Sequence, residues 1–96
     1  MDNKADKVRV RLQISGRVQG VYFRASAVQR AQELGVTGWV MNCSDGSVAI
    51  VAEGTRQQLE DLTSWCRHGP DGARVTDVAV EWNPARNDFR AFTIKR

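Results

Sequence analysis

Ninety-six residues, 42% of them apolar and 26% charged, make one domain with one hydrophobic core and exclude both a disordered chain and a multidomain one. The net charge of +3 is scattered along the chain and not gathered into a basic block, which argues against a nucleic-acid-binding surface and fits small anionic molecules. No stretch approaches the ~18 apolar residues of a membrane span, and Met1–Lys7 lacks the apolar core of a secretory signal, so a cytoplasmic chain is expected, with residues 1–7 a flexible terminus and 8–96 the domain.

Val8, Val10, Leu12 and Ile14 alternate with Arg9, Arg11 and Gln13, the period of a half-buried strand. Gly16 and Gly20 bracket a tight connection. Phe23, Ala27, Ala31 and Leu34 then recur at three-to-four spacing, with Val28 beside them, which predicts a helix over Tyr22–Leu34 stopped by Gly35. A second strand is expected over Val36–Asn42, a turn at Asp45-Gly46, and a third strand over Ser47–Glu53 with Val48, Ile50 and Ala52 on one face. Thr55 opens a second helix, Gln58 completes a capping box, and Leu59, Leu62 and Cys66 with Trp65 form its buried stripe up to Gly69-Pro70. Val78, Val80 and Trp82 mark a fourth strand, and Phe92 with Ile94 a short last one. The order β-α-β-β-α-β plus a terminal strand, closed by right-handed crossovers, predicts a ferredoxin-like α+β sandwich: an antiparallel sheet with both helices on one face and a short extra C-terminal strand. That architecture hosts many activities and selects none of them.

The two helix starts differ. The second carries its own cap, whereas no Ser, Thr, Asp or Asn lies between Arg17 and Arg24 to satisfy the first amides of the other. Arg24 also places a cation in the first turn, where the helix dipole disfavours it. An anion held by the open N–H groups and by Arg24 resolves both problems, and Gly20 lets the backbone come close to it. Water on an exposed helix end is the competing explanation.

Cys43 and Cys66 form no CxxC pair and His68 is the lone histidine, so four zinc ligands are lacking and free thiols are expected. His68, near a helix end, reads as a favourable charge there, and Trp39 as a packing residue. A cysteine-dependent phosphatase needs C-x5-R, but the sixth residue after Cys43 is Ala49 and after Cys66 is Gly72. An RNA-binding module of this fold stacks bases on aromatics of its central strands, and Val8–Ser15 and Ser47–Glu53 contain none. An anion-sensing domain without turnover is the other alternative.

Gly16-Arg17-Val18-Gln19-Gly20-Val21-Tyr22-Phe23-Arg24 resembles the acylphosphatase signature G-x-V-Q-G-V-x-F/Y-R, and Gly38-Trp39-Val40-Met41-Asn42-Cys43-Ser44-Asp45-Gly46-Ser47-Val48 resembles the second one, G-W/Y-V-x-N-x-x-D-G-x-V. The similarity runs from about Val8 to Arg96. The resemblance implies a ferredoxin-like fold and hydrolysis of acyl phosphates to carboxylate and inorganic phosphate. It further implies a phosphate-binding loop of Gln19, Gly20, Val21, Tyr22, Phe23 and Arg24, with Arg24 on the phosphate oxygens and Asn42 holding the attacking water. No cofactor, metal, nucleic acid or second subunit is called for. The chemistry suits these residue types: a carboxylate leaves unprotonated, so no general acid is needed, and phosphoryl transfer reduces to positioning and charge stabilisation. A guanidinium stays charged at any working pH, and a carboxamide accepts a hydrogen bond from water without titrating.

Overall fold

The computed structural model describes residues 6–96; of the expected flexible terminus, residues 1–5 lie outside the described residues. Five strands and two helices follow in the order β1 (Val8–Arg17), α1 (Phe23–Leu34), β2 (Thr37–Asn42), β3 (Val48–Gly54), α2 (Arg56–Cys66), β4 (Arg74–Pro84) and β5 (Phe92–Ile94). The sheet order is β4-β1-β3-β2-β5. The first four strands pair antiparallel, and β5 adds to β2 in parallel. This is the ferredoxin-like arrangement with its additional strand, and the sheet as a whole is mixed.

Alternation along β1 buries Val10, Leu12 and Ile14 completely beneath the helices. There they meet Phe23, Ala27 and Ala31 of α1 and Leu59, Leu62 and Cys66 of α2 in one core. Helix α1 rests on β2 and β5, and α2 on β1, β3 and β4. Strand β3 is buried along its whole length, including Ala49 and Val51 on the face away from the helices. Its central place explains this, since Gln13 and Met41 flank Ala49 while Arg11 and Trp39 flank Val51. Long side chains on both neighbours shield the small ones between them.

Boundaries shift by a residue or so from the sequence expectation, for local reasons. Tyr22 is left-handed (φ 65°), so α1 begins at Phe23. Val36 N–H bonds Ala31 O as the helix unwinds through left-handed Gly35, so β2 begins at Thr37. β1 runs past Ser15 through a bulge at Gly16, whose φ of 122° and contact with the Arg74 backbone leave no room for a side chain.

Residues 85–91 carry the chain from the β4 edge to the β2 edge, and Glu53 holds them. Its carboxylate is almost fully buried and accepts from Arg86 N–H (2.8 Å), Asn87 N–H (2.9 Å) and Arg9 Nη1 (3.1 Å). Arg9 in turn lies over the Phe89 ring at 4.9 Å. Three donors make burial of this charge tolerable. The crossing sets the direction of β5: β1, β2 and β5 all run the same way, and their C-terminal ends lie at the end of the sheet where α1 starts.

Candidate active site

At that end, β1 gives way to the loop Val18–Tyr22. Val18 is buried and roots the loop in the core. Gln19 ties it sideways, because its Nε2 donates to Cys43 O (2.8 Å) and Ser47 O (2.9 Å) of the β2–β3 hairpin. Gly20 and Tyr22 both take positive φ, at 76° and 65°. Open space surrounds the position of a Gly20 side chain, so the backbone angle alone favours glycine there. Tyr22 adopts the same region at a cost, with 83% of its surface exposed, and is the N-cap of α1.

No side chain caps α1, and no acidic residue occupies its first turn. The helical ladder starts with Ser26 N–H on Tyr22 O at 3.0 Å. Phe23 fixes the helix start by packing against Trp65, ring centroids 5.3 Å apart. Arg24 follows, half-buried and without an ion-pair partner among the described residues.

Asn42 ends β2, opposite Val48. The hairpin beyond it is closed by Cys43 N–H on Ser47 O (2.8 Å) and by Asp45, whose Oδ1 accepts from Ser47 N–H (3.0 Å) and Ser47 Oγ (2.6 Å). Gln13 Nε2 donates to the same Ser47 hydroxyl. The Ser47 hydroxyl, then its main-chain N–H, lowers the Asp45 carboxyl below its ordinary value.

Gly20, Tyr22, Phe23, Arg24 and Asn42 line one cavity of about 350 Å³. Gln19 and Val21 belong to the loop but do not line the cavity; the Gln19 amide is spent on the hairpin. Val18, Ala25, Ile94 and Arg96 complete the wall, and no sequence signal singles out the last two, since only the pairing of β5 with β2 brings them there. No Asp or Glu is among the lining residues. The arrangement can take a tetrahedral anion on the open amides and Arg24, with a carboxamide facing it.

The remaining chemistry-bearing residues lie elsewhere. Cys43 and Cys66 are both free thiols, and burial pushes Cys66 up to about 12. His68 is exposed, with Nδ1 3.4 Å from Ser64 O at the end of α2. Trp39 is half-buried on β2 with the Lys95 ammonium 4.7 Å from its ring. Among the described residues no cluster of three His, Cys, Asp or Glu is arranged to hold a metal ion, and no helix is long and apolar enough to cross a membrane.

Fold and site together define a small α+β domain with an uncapped, arginine-bearing helix start opening onto a cavity at one end of its sheet. Comparison with known proteins gives the family. The acylphosphatase family model matches residues 10–94. An acylphosphatase from Marinobacter nauticus is 54% identical over 84 residues, covering 88% of this chain and 91% of that protein. The solved acylphosphatase from Coxiella burnetii superposes with a TM-score of 0.90 at 36% identity, over 98% of this chain and all of that one. That from Bacillus subtilis gives 0.89 at 32%, over 93% and 99%. The chain belongs to the acylphosphatase family, hydrolases that split acyl phosphates into carboxylate and inorganic phosphate.

Proposed function

We propose a division of the acylphosphatase reaction among these residues, carried by one observation: an uncapped helix start bearing Arg24 opens onto the same cavity as Asn42. The phosphoryl group sits on the main-chain N–H groups of the loop from Gln19 to Arg24, and the Arg24 guanidinium binds its oxygens in the planar, forked geometry it offers phosphate. Asn42 accepts a hydrogen bond from water and directs the oxygen at phosphorus. The P–O bond to the acyl group breaks as the new one forms, the carboxylate departs with the electron pair, and a phosphate oxygen takes the proton of the water. Charge on the equatorial oxygens is met by Arg24 and the amide dipoles, so the reading calls for no metal ion.

The loop is held to its task by side chains that touch no substrate. The Gln19 side-chain amide clamps it to the hairpin that carries Asn42, so the phosphate cradle and the water-holding residue keep one spacing. Every residue assigned comes from one copy of residues 8–96, in keeping with a monomeric cytoplasmic enzyme acting on small acyl phosphates. Strands β1 and β3 lack the aromatics an RNA-binding sheet uses.

The test compares an aromatic acyl phosphate with a phosphate monoester in the presence of EDTA. Hydrolysis of the first, with the monoester essentially untouched and inorganic phosphate a competitive inhibitor, is the expected result. A monoester expels a far poorer leaving group, and no acid is placed here to protonate it. Equal turnover of both, or loss of activity on chelation reversed by a divalent ion, would contradict the proposed mechanism.

A further inference from the structure

β5 pairs with β2 with Gly38 opposite Phe92, Trp39 opposite Thr93 and Val40 opposite Ile94, and Lys95 N–H continues the ladder onto Val40 O at 2.8 Å. β5 ends at Ile94, and the two residues that follow carry the chain on to Arg96, beside the end of β2 at Asn42. Arg96 and Asn42 both border the cavity. Arg96 is exposed and, like Arg24, has no ion-pair partner among the described residues. Two arginines without ion-pair partners among the described residues thus border one cavity, and no Asp or Glu is among the residues that line it. A ligand that brings negative charge into this cavity is attracted by both.

We propose that Arg96 is a second phosphoryl-binding guanidinium, taking the oxygens on the Asn42 side while Arg24 and the loop amides take those on the other. In the loose transition state charge spreads over three equatorial oxygens, and one guanidinium fork reaches two of them. Arg96 supplies donors for the remainder, next to the water that Asn42 directs. The assignment rests on the acyl phosphate reading above and adds a residue to it.

The experiment uses the full chain with Arg96→Gln and Arg96→Lys. It reads phosphate binding by calorimetry, turnover of acetyl phosphate and of succinyl phosphate, and Tm. Loss of one charge-assisted contact should raise the Kd of inorganic phosphate and the KM of both substrates together, by about tenfold, at unchanged Tm. Arg96→Lys should recover part of this, since it restores charge without the fork. The inference is overturned if phosphate binding is unaffected and only succinyl phosphate suffers, because Arg96 then serves the acyl group. It is equally overturned if weaker binding comes with a lower Tm that lysine leaves uncorrected, because Arg96 then merely holds β5. Wild-type protein that binds phosphate through Arg96 yet leaves both substrates intact would refute the catalytic reading and leave this one standing.

Discussion

The two helices of this chain begin in opposite ways. At α2, Thr55 Oγ1 accepts from Gln58 N–H at 3.2 Å while Gln58 Oε1 accepts from Thr55 N–H at 2.8 Å, a closed capping box. At α1 the cap residue is a left-handed tyrosine with no capping side chain, followed by an arginine whose charge opposes the helix dipole. A missing cap forgoes about 0.5–2 kcal/mol, and a left-handed non-glycine residue costs about 1–3 kcal/mol. Phe23, wedged against Trp65, offsets part of this by anchoring the helix start in the core. The chain completes α2 with its own side chains, and in the proposed reading a phosphate ligand completes α1. That reading assigns stability and function to different helix ends, and each end can be tested for its own role.

Breaking the open end should have the largest effect. Arg24→Gln should lower turnover of an acyl phosphate by about 10³-fold, the scale at which charge-stabilising arginines act in phosphoryl transfer. The same variant should melt at or slightly above the wild-type temperature, because removing the cation from the first turn returns about 0.3–1 kcal/mol. Activity and stability moving in opposite directions is the signature sought. A variant with normal turnover, or one that is inactive because it is unfolded, would remove the distinction drawn between the helix ends.

Asn42→Ala addresses the facing side of the cavity. Turnover should fall by about 10²–10³-fold, as for the loss of one preorganised polar contact. Inorganic phosphate should still inhibit with near-normal affinity, since Arg24 and the loop amides are intact. If turnover survives, or if inhibition disappears with it in a folded protein, Asn42 does not direct the water.

Much of this contrast is legible in the amino-acid sequence alone. Capping is local, so Thr55, Gln58 and the bare stretch from Arg17 to Arg24 can be compared by eye, and the periodicity of the strands and helices places every element. The motifs carry Arg24 and Asn42. What the sequence hides depends on pairing between distant segments. The parallel direction of β5 follows from where residues 85–91 cross the sheet, and that depends on the buried Glu53 carboxylate gathering donors from Arg9, Arg86 and Asn87. Ile94 and Arg96 reach the cavity only through that direction. The motif sets Gln19 in the phosphate loop, while its side chain faces the hairpin, because a motif names a residue without saying which of its groups is used.

Thr55→Ala breaks the closed helix end and should have the reverse profile of Arg24→Gln. Loss of the cap should cost about 1 kcal/mol, which in a domain of this size lowers Tm by about 4–8 °C. Values of kcat and KM measured well below the melting range should match wild type, since α2 packs on β1, β3 and β4 and contributes nothing to the cavity wall. A fall in kcat without a fall in Tm would show that the two helix ends are coupled.

The smallest effect concerns the hairpin, where Asp45 repeats the α2 solution by satisfying the Ser47 main-chain N–H from within the chain. The Ser47 hydroxyl, followed by that N–H, lowers the Asp45 carboxyl below its ordinary value of 3.8. A carboxylate depressed in the folded state contributes stability that is fully present above its unfolded value and is lost as pH falls through the folded one. Asp45 lies at the surface, so solvent screening keeps this contribution small, below that of Thr55. Asp45→Asn retains an acceptor for Ser47 but cannot titrate. The Tm advantage of wild type over Asp45→Asn should therefore be constant at pH values well above 3.8 and shrink as acid protonates the carboxyl. A difference that stays flat into the acid range would mean that the Asp45 charge adds nothing to the turn, and that the bond geometry, which asparagine shares, is all the hairpin requires to hold Asn42 in place.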